Sequence, residues 1–242
     1  MKQQQNDAAD AQAICEAVSR PCTRFVPIKR AEQQSVLMLH RSRDLLMRQR
    51  TVLLNAIRAH LAEFGITTAQ GPVKVLDLVA QLRNGGALEL PEIVRSALLD
   101  PASQLDGWAN GIRALERQLM SWHHSNAASQ RLETTPGVGP ITATALAASV
   151  PDASQFPSGR QFAANLELVP KQNSSGGKER LGHISKLGNG FPRRLLVAGA
   201  TSVIRRAGIN ETRLGAWVRS PLMRKPVRVI TVAVANKTAR IA

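Results

Sequence analysis

The sequence predicts a mainly α-helical fold, and two long stretches carry that expectation. Residues 31–64 contain neither glycine nor proline and place Val36, Leu39, Leu46, Leu53 and Ile57 at spacings of three, four and seven, the period of one buried helix face. From Pro91 to about Leu132 the same pattern returns, with Ile112, Leu115 and Leu119 on one face and Trp108 and Trp122 near the ends. A hydrophobic content of 43% over 242 residues is enough for a packed core, which argues against a disordered basic tail.

The elements follow in order. The Ala-rich stretch NDAADAQAICEAVSR, with Ile14 and Val18 four apart, predicts a short helix ending before Pro21. Residues 31–64 then predict one helix closed by Gly65, roughly 50 Å long at 1.5 Å per residue. Its other faces carry Arg41, Arg43, Arg48, Arg50 and Arg58, so it packs on another helix or forms a coiled coil with charged flanks. The segment VKVLDLVAQL predicts a shorter helix before the Asn84-Gly85-Gly86 break, and the helix from Pro91 can fold back as an antiparallel hairpin. Composition changes at Thr134. Beyond it stand TTPGVGPITATALAAS, the turn PDASQFPSGR, the run QFAANLELVPKQ, the loop NSSGGKERLG and three further helices. The expected domains are 1–30, 31–132 and 133–242.

Charge is unevenly placed. The chain carries +15, and residues 158–242, with 16 basic and 3 acidic side chains, hold +13 of it. Such a field attracts a polyanion, and each cation that neutralises a phosphate releases a counterion. Nucleic acid is therefore the expected partner, with a merely solvated basic face as the alternative. Aromatic residues are only 3% and tyrosine is absent, which disfavours base stacking and favours phosphate contact. No apolar run approaches 18 residues and MKQQQNDAAD has no hydrophobic signal core, so neither a membrane span nor secretion is expected and the cytoplasm is. Cys15 and Cys22 match neither a zinc ribbon nor a disulfide framework.

Three motifs bear on chemistry. Pro136-Gly137-Val138-Gly139-Pro140, ahead of ITATALAA, has the form of a helix-hairpin-helix turn, in which glycines turn the backbone and the next helix offers N–H groups to a phosphate. A purely structural turn is the alternative. The loop Asn173-Ser174-Ser175-Gly176-Gly177-Lys178-Glu179-Arg180 combines hydroxyls with two cations, a composition suited to holding a phosphodiester beside a nucleophile. It is not a phosphate-binding P-loop, since its glycine spacing is wrong and Glu179 follows Lys178. Downstream, Lys186, Arg193, Arg194, Arg205 and Arg206 are candidates for a phosphate track. Asp7 and Asp10 lie one helical turn apart, within reach of one hard divalent ion, although helix capping explains Asp7 equally well. HExxH, Cys/His clusters and GxSxG are all missing, which removes zinc hydrolases and α/β-hydrolases.

Taken in order, NDAADAQAICEA, RFVPIKRAEQQSVLMLHRSRDLLMRQRTVLLNAIRAHLAEFGI, TTPGVGPITATAL, LVPKQNSSGGKERLGHISKLGN and VANKTARIA resemble the insertion sequence 110 family of transposases. These are of the DEDD, RuvC-like type and are related to pilin-gene invertases. The resemblance implies a remnant of an α/β RuvC-like domain at residues 1–30, a coiled-coil arm over 31–132, and a C-terminal transposase domain with the helix-hairpin-helix turn and a serine loop. It implies Ser175 as nucleophile, with Ser174 as the fallback, and Asp7 and Asp10 as the D-x-x-D metal ligands for Mg²⁺. The serine hydroxyl would attack a DNA phosphate, form a phosphoserine link and expel a 3′-hydroxyl that later rejoins another strand. Implied DNA contacts are Gly137, Val138, Gly139, Lys178, Arg180, Lys186, Arg193 and Arg194; implied partners are DNA, a guide (bridge) RNA and further copies in a dimer or tetramer.

Departures shape the expectation. The first Asp and the Glu of the DEDD set would precede residue 1, so the chain reads as truncated, with incomplete recombination expected. Asn165 and Glu167 replace the family's Trp and Gly, and Phe191-Pro192 interrupts a regular helix start. A non-catalytic nucleic-acid-binding protein and a structure-specific nuclease are the alternative functions.

Overall fold

The computed structural model describes residues 7–21, 25, 27–84, 88–185, 188–207 and 213–242. Its architecture is mainly helical, as expected. Helix α1 (Asp7–Ser19) is followed by the long α2 (Ala31–Glu63), α3 (Pro72–Arg83), the long α4 (Glu92–Ser125) and α5 (Ala127–Glu133). Then come α6 (Pro140–Ser149), a 3₁₀ turn at Ala153–Gln155, α7 (Gly159–Asn165), strands β1 (Pro170–Gln172) and β2 (Leu181–Ile184), α8 (Gly190–Arg206), α9 (Arg213–Leu222) and α10 (Val227–Ile241).

Helices α2 and α4 run antiparallel. Arg43 pairs with Glu116 at 2.6 Å, and Leu46 lies 3.1 Å from where a Cβ on Gly111 would stand, so rising numbers on one helix meet falling numbers on the other. Helix α3 closes the distal end, where Leu54, Ile57, Leu61, Val75, Val79, Leu82, Leu98 and Leu105 form one buried cluster. Each fully buried Leu or Ile there contributes about 1.5–3 kcal/mol. Arg83 locks the corner by donating to the Ala102 carbonyl and pairing with Asp106 at 2.7 Å.

The single helix expected from Pro91 to Leu132 is two. Asn126 ends α4 in extended backbone (φ −112°, ψ 104°) and its side chain accepts from the Ser129 N–H, which starts α5. An Asn side chain competes with helical backbone for that donor, and hydrophobic periodicity does not register it. Buried His123 joins the two pieces, with Nδ1 2.7 Å from Ser129 Oγ and Nε2 2.8 Å from Glu133 Oε2. Ser129 is completely buried, so this Ser-His-Glu set is a joint rather than a reactive centre.

Helix α6 is the hub. Thr142, Ala143, Thr144, Ala145, Leu146 and Ala148 are all buried, because α6 packs against α2, α4, α5 and α8 at once. His40 of α2 is buried there, its Nε2 3.1 Å from Thr144 Oγ1 and its ring 5.4 Å from that of Phe191. The C-terminal core gathers Val138, Leu146, Ala163, Leu166, Leu168, Leu196, Val218, Ile230 and Val234 from the turn before α6 through α10.

Phe191-Pro192, expected to interrupt a helix start, does not. Helix α8 begins at Gly190 under an Asn189 cap, and Pro192 sits buried in the first turn, where a missing N–H costs no intrahelical bond. Of an α/β remnant before residue 30, the described residues hold only helix α1.

Candidate functional site

The loop around Ser175 is the tip of a β-hairpin. Strands β1 and β2 pair antiparallel, with Pro170 opposite Ile184 and Gln172 opposite Leu181. Asn173 N–H donates to the Arg180 carbonyl at 2.8 Å, and Lys178 N–H donates to the Ser175 carbonyl at 3.1 Å. Gly176 (φ 58°) and Gly177 (φ 74°) therefore form the two central turn residues. Both need positive φ, which suits a two-residue hairpin turn and which residues with a Cβ resist. The sequence reads these glycines as a flexible loop; paired strands make them a fixed turn.

Every residue from Lys171 to Leu181 is exposed. The hairpin tip therefore adds nothing to the core, and a lone two-stranded hairpin is marginal in water by itself. Its two serines differ. Ser174 Oγ accepts the Arg180 N–H at 3.1 Å, which ties it into the ladder, while Ser175 opens the turn and is exposed. Lys178 and Arg180 are exposed on the returning strand.

The helix-hairpin-helix candidate is a six-residue turn, 134–139, between α5 and α6. Its inner side is welded to the core. Val138 is 4% exposed and packs in the C-terminal cluster, so its side chain is a core group and only its backbone faces the turn. Gly137 takes φ 85° and touches α8: a Cβ built on Gly199 would lie 1.9 Å from the Gly137 carbonyl oxygen. Thr238 of α10 donates to the Pro136 carbonyl. The outer side differs, since Pro136 and Gly139 are exposed and no side chain caps the α6 N-terminus.

The remaining candidates separate. Arg194 reaches across to α2, pairing with Asp44 at 3.0 Å and lying 5.6 Å over the Phe191 ring. Arg193 donates to the Leu166 carbonyl that ends α7. Both hold helices together. Lys186, like Cys22, lies outside the described residues. Asp7 and Asp10 are exposed on α1, which touches no other described element. The structure does not bring them to Ser175, and no group of three or more His, Cys, Asp or Glu side chains gathers among the described residues.

Sequence reasoning missed the His40 joint. Burial, and secondarily the Arg43 charge, hold its pKa down from 6.5 to about 4. Thr144 has one hydroxyl proton, directed to the Pro140 carbonyl at 2.9 Å, so it accepts from His40 Nε2–H and leaves Nδ1 buried without a partner. The histidine sits on the Val36 face of α2, four residues on, and that spacing was the available signal.

Among known proteins, residues 129–214 match the family model for the transposase IS116/IS110/IS902 family. Over the whole chain, the sequence is 44% identical to a Pseudomonas aeruginosa protein named as a family 20 transposase, covering 72% of that protein. It is 41% identical to the transposase for insertion sequence element IS1328 of Yersinia enterocolitica, covering 72% of it, and 38% identical to that for IS1111A of Coxiella burnetii, covering 66%. Another relative, from Sinorhizobium fredii, is covered over 62% of its length. With full-chain identity at this level and the family model falling on the α5–α6 turn, the serine hairpin and α8, the chain belongs to the IS116/IS110/IS902 transposase family.

Proposed function

We propose that this chain acts in DNA transposition, binding DNA through its basic C-terminal third and cleaving and rejoining it through Ser175. One observation carries the reading: a hairpin tip exposed from Lys171 to Leu181 sets an exposed serine, Ser175, directly across the turn from Lys178, with Arg180 two residues further on the same strand. The two cations would hold a phosphodiester while the hydroxyl attacks phosphorus, forming the serine–phosphate bond as the DNA 3′-hydroxyl leaves with the proton. The engagement of Ser174 Oγ by the Arg180 N–H favours Ser175 over its neighbour. Pro136 and Gly139, with the uncapped start of α6, would give a second, sequence-independent phosphate contact.

Asp7 and Asp10, exposed hard donors one turn apart, fit Mg²⁺ held otherwise by water and phosphate oxygens. The ion, when bound, would stabilise charge on a phosphate brought to α1, apart from Ser175. A guide RNA and assembly into a dimer or tetramer belong to the same reading. The +15 charge supports the first; Met38, Leu45 and Val52, exposed on α2 at seven-residue spacing, support the second. Action on DNA in the cytoplasm accords with the finding that no described helix is long and apolar enough to cross a membrane.

The test is a suicide DNA substrate that traps a covalent intermediate. Ser175→Ala should abolish the protein–DNA adduct and keep DNA binding. An adduct that survives the change removes Ser175 from the reaction; binding with no adduct in the parent chain supports a non-catalytic binding protein; and cleavage that needs Asp7 and Asp10 but ignores Ser175 supports a nuclease.

A further inference from the structure

Another basic feature lies away from the serine hairpin. Helices α9 and α10 are joined by the short turn Met223-Arg224-Lys225-Pro226. The turn is held at both ends: Val218 and Ile230 are buried in the C-terminal core and Leu222 packs against it. Arg224 and Lys225 N–H groups donate back to the Pro221 carbonyl at 3.1 and 2.9 Å, and the Val229 N–H donates to the Pro226 carbonyl at 3.0 Å. On this anchored frame Met223 is 88% exposed, with Val227 and Val229 also more than half exposed. Arg219, Arg224, Lys225 and Arg228 flank them in the chain, all exposed and none in an ion pair with a described residue. No Asp or Glu occurs anywhere from Thr212 to Ala242.

A single exposed apolar side chain is ordinary on a protein surface; what sets Met223 apart is that Val227, Val229 and these four cations stand in the same short stretch of chain. With four exposed cations and no acid in the same stretch of chain, this turn suits a polyanion that also offers an apolar slot. Duplex DNA does so: proteins that grip its minor groove pair Arg and Lys on the phosphates with a Met, Leu or Pro wedge that enters a base step. Single-stranded RNA fits less well, since it is held by stacking on aromatic faces. The nearby ring, Trp217, already has the Lys237 ammonium 4.6 Å from its centroid.

We propose that the α9–α10 turn is a second duplex-DNA contact, with Met223 as a wedge and Arg219, Arg224, Lys225 and Arg228 on the flanking phosphates. The proposal rests on the DNA-binding reading above but is independent of the serine chemistry.

It is tested with the full chain and a short fluorescein-labelled duplex, by anisotropy against salt concentration. Each phosphate contact adds about 0.9 to the slope of log K against log salt, so Arg224→Ala with Lys225→Ala should lower that slope by about 2. Met223→Ser should keep most of the slope but lose the fluorescence rise of 2-aminopurine placed in the duplex, which reports unstacking. All three positions are exposed, and circular dichroism checks that the variants fold. If the parent chain leaves the duplex unbound, the DNA-binding reading falls and this one with it. If the parent binds and the double variant keeps its slope, only the α9–α10 contact is overturned. A slope change confined to single-stranded RNA, or binding to phosphatidylserine vesicles in place of the duplex, also overturns it.

Discussion

Replacing Gly199 with alanine sets two effects of opposite sign against each other. Gly199 lies inside α8, and in an exposed helix the added methyl would stabilise the fold by about 0.8–1 kcal/mol. Here the new Cβ would stand 1.9 Å from the Gly137 carbonyl oxygen and 3.0 Å from its carbonyl carbon. Both are backbone atoms of a turn fixed by Val138 in the core and by the Thr238 hydrogen bond, so no side chain can swing away. Relief requires α8 and the α5–α6 turn to part by about an ångström, at a cost of about 1–3 kcal/mol, more than the helical gain. Gly107 in α4 is the control, since a Cβ there meets nothing within 4 Å. Urea denaturation should show Gly107→Ala more stable by up to about 1 kcal/mol and Gly199→Ala less stable by up to about 2 kcal/mol. In a melt each kcal/mol should appear as about 2–4 °C. Should Gly199→Ala gain stability like the control, the close packing of α8 on the turn is wrong.

Two further predictions follow from the joints between helices. With the His40 pKa at about 4 folded and 6.5 unfolded, the unfolded chain binds the extra proton between those values, so His40 costs stability as pH falls from about 7 to 4, about 3 kcal/mol in all; His40→Leu should flatten that part of the denaturation profile, and an unchanged pH dependence would refute the buried neutral ring. Because Arg194 is held by Asp44 while Lys178 and Arg180 stand free of any described ion pair, Arg194→Ala should cost up to about 1 kcal/mol of stability and leave the DNA salt slope unchanged, whereas Lys178→Ala with Arg180→Ala should lower the slope by about 2; the reverse pattern would exchange their roles.

The mainly helical class, the extent of α2 and the break before Pro91 were legible in the amino-acid order, because helix periodicity and glycine or proline punctuation are local. So was the serine loop as a chemical composition, and so was the family. What the order alone did not decide depends on which distant segments meet. The Ser-Gly-Gly-Lys run became a fixed hairpin tip only because Asn173 and Arg180 pair across it. Val138 and Arg194 read as DNA contacts; the fold takes the Val138 side chain into the C-terminal core and lays Arg194, still exposed, against Asp44. His40 looked like one more residue of a long helix until Thr144 and Phe191, a hundred and more positions away, closed over it. Local chemistry sets which elements form; burial and pairing between distant elements decide which of their polar groups remain free to meet a phosphate.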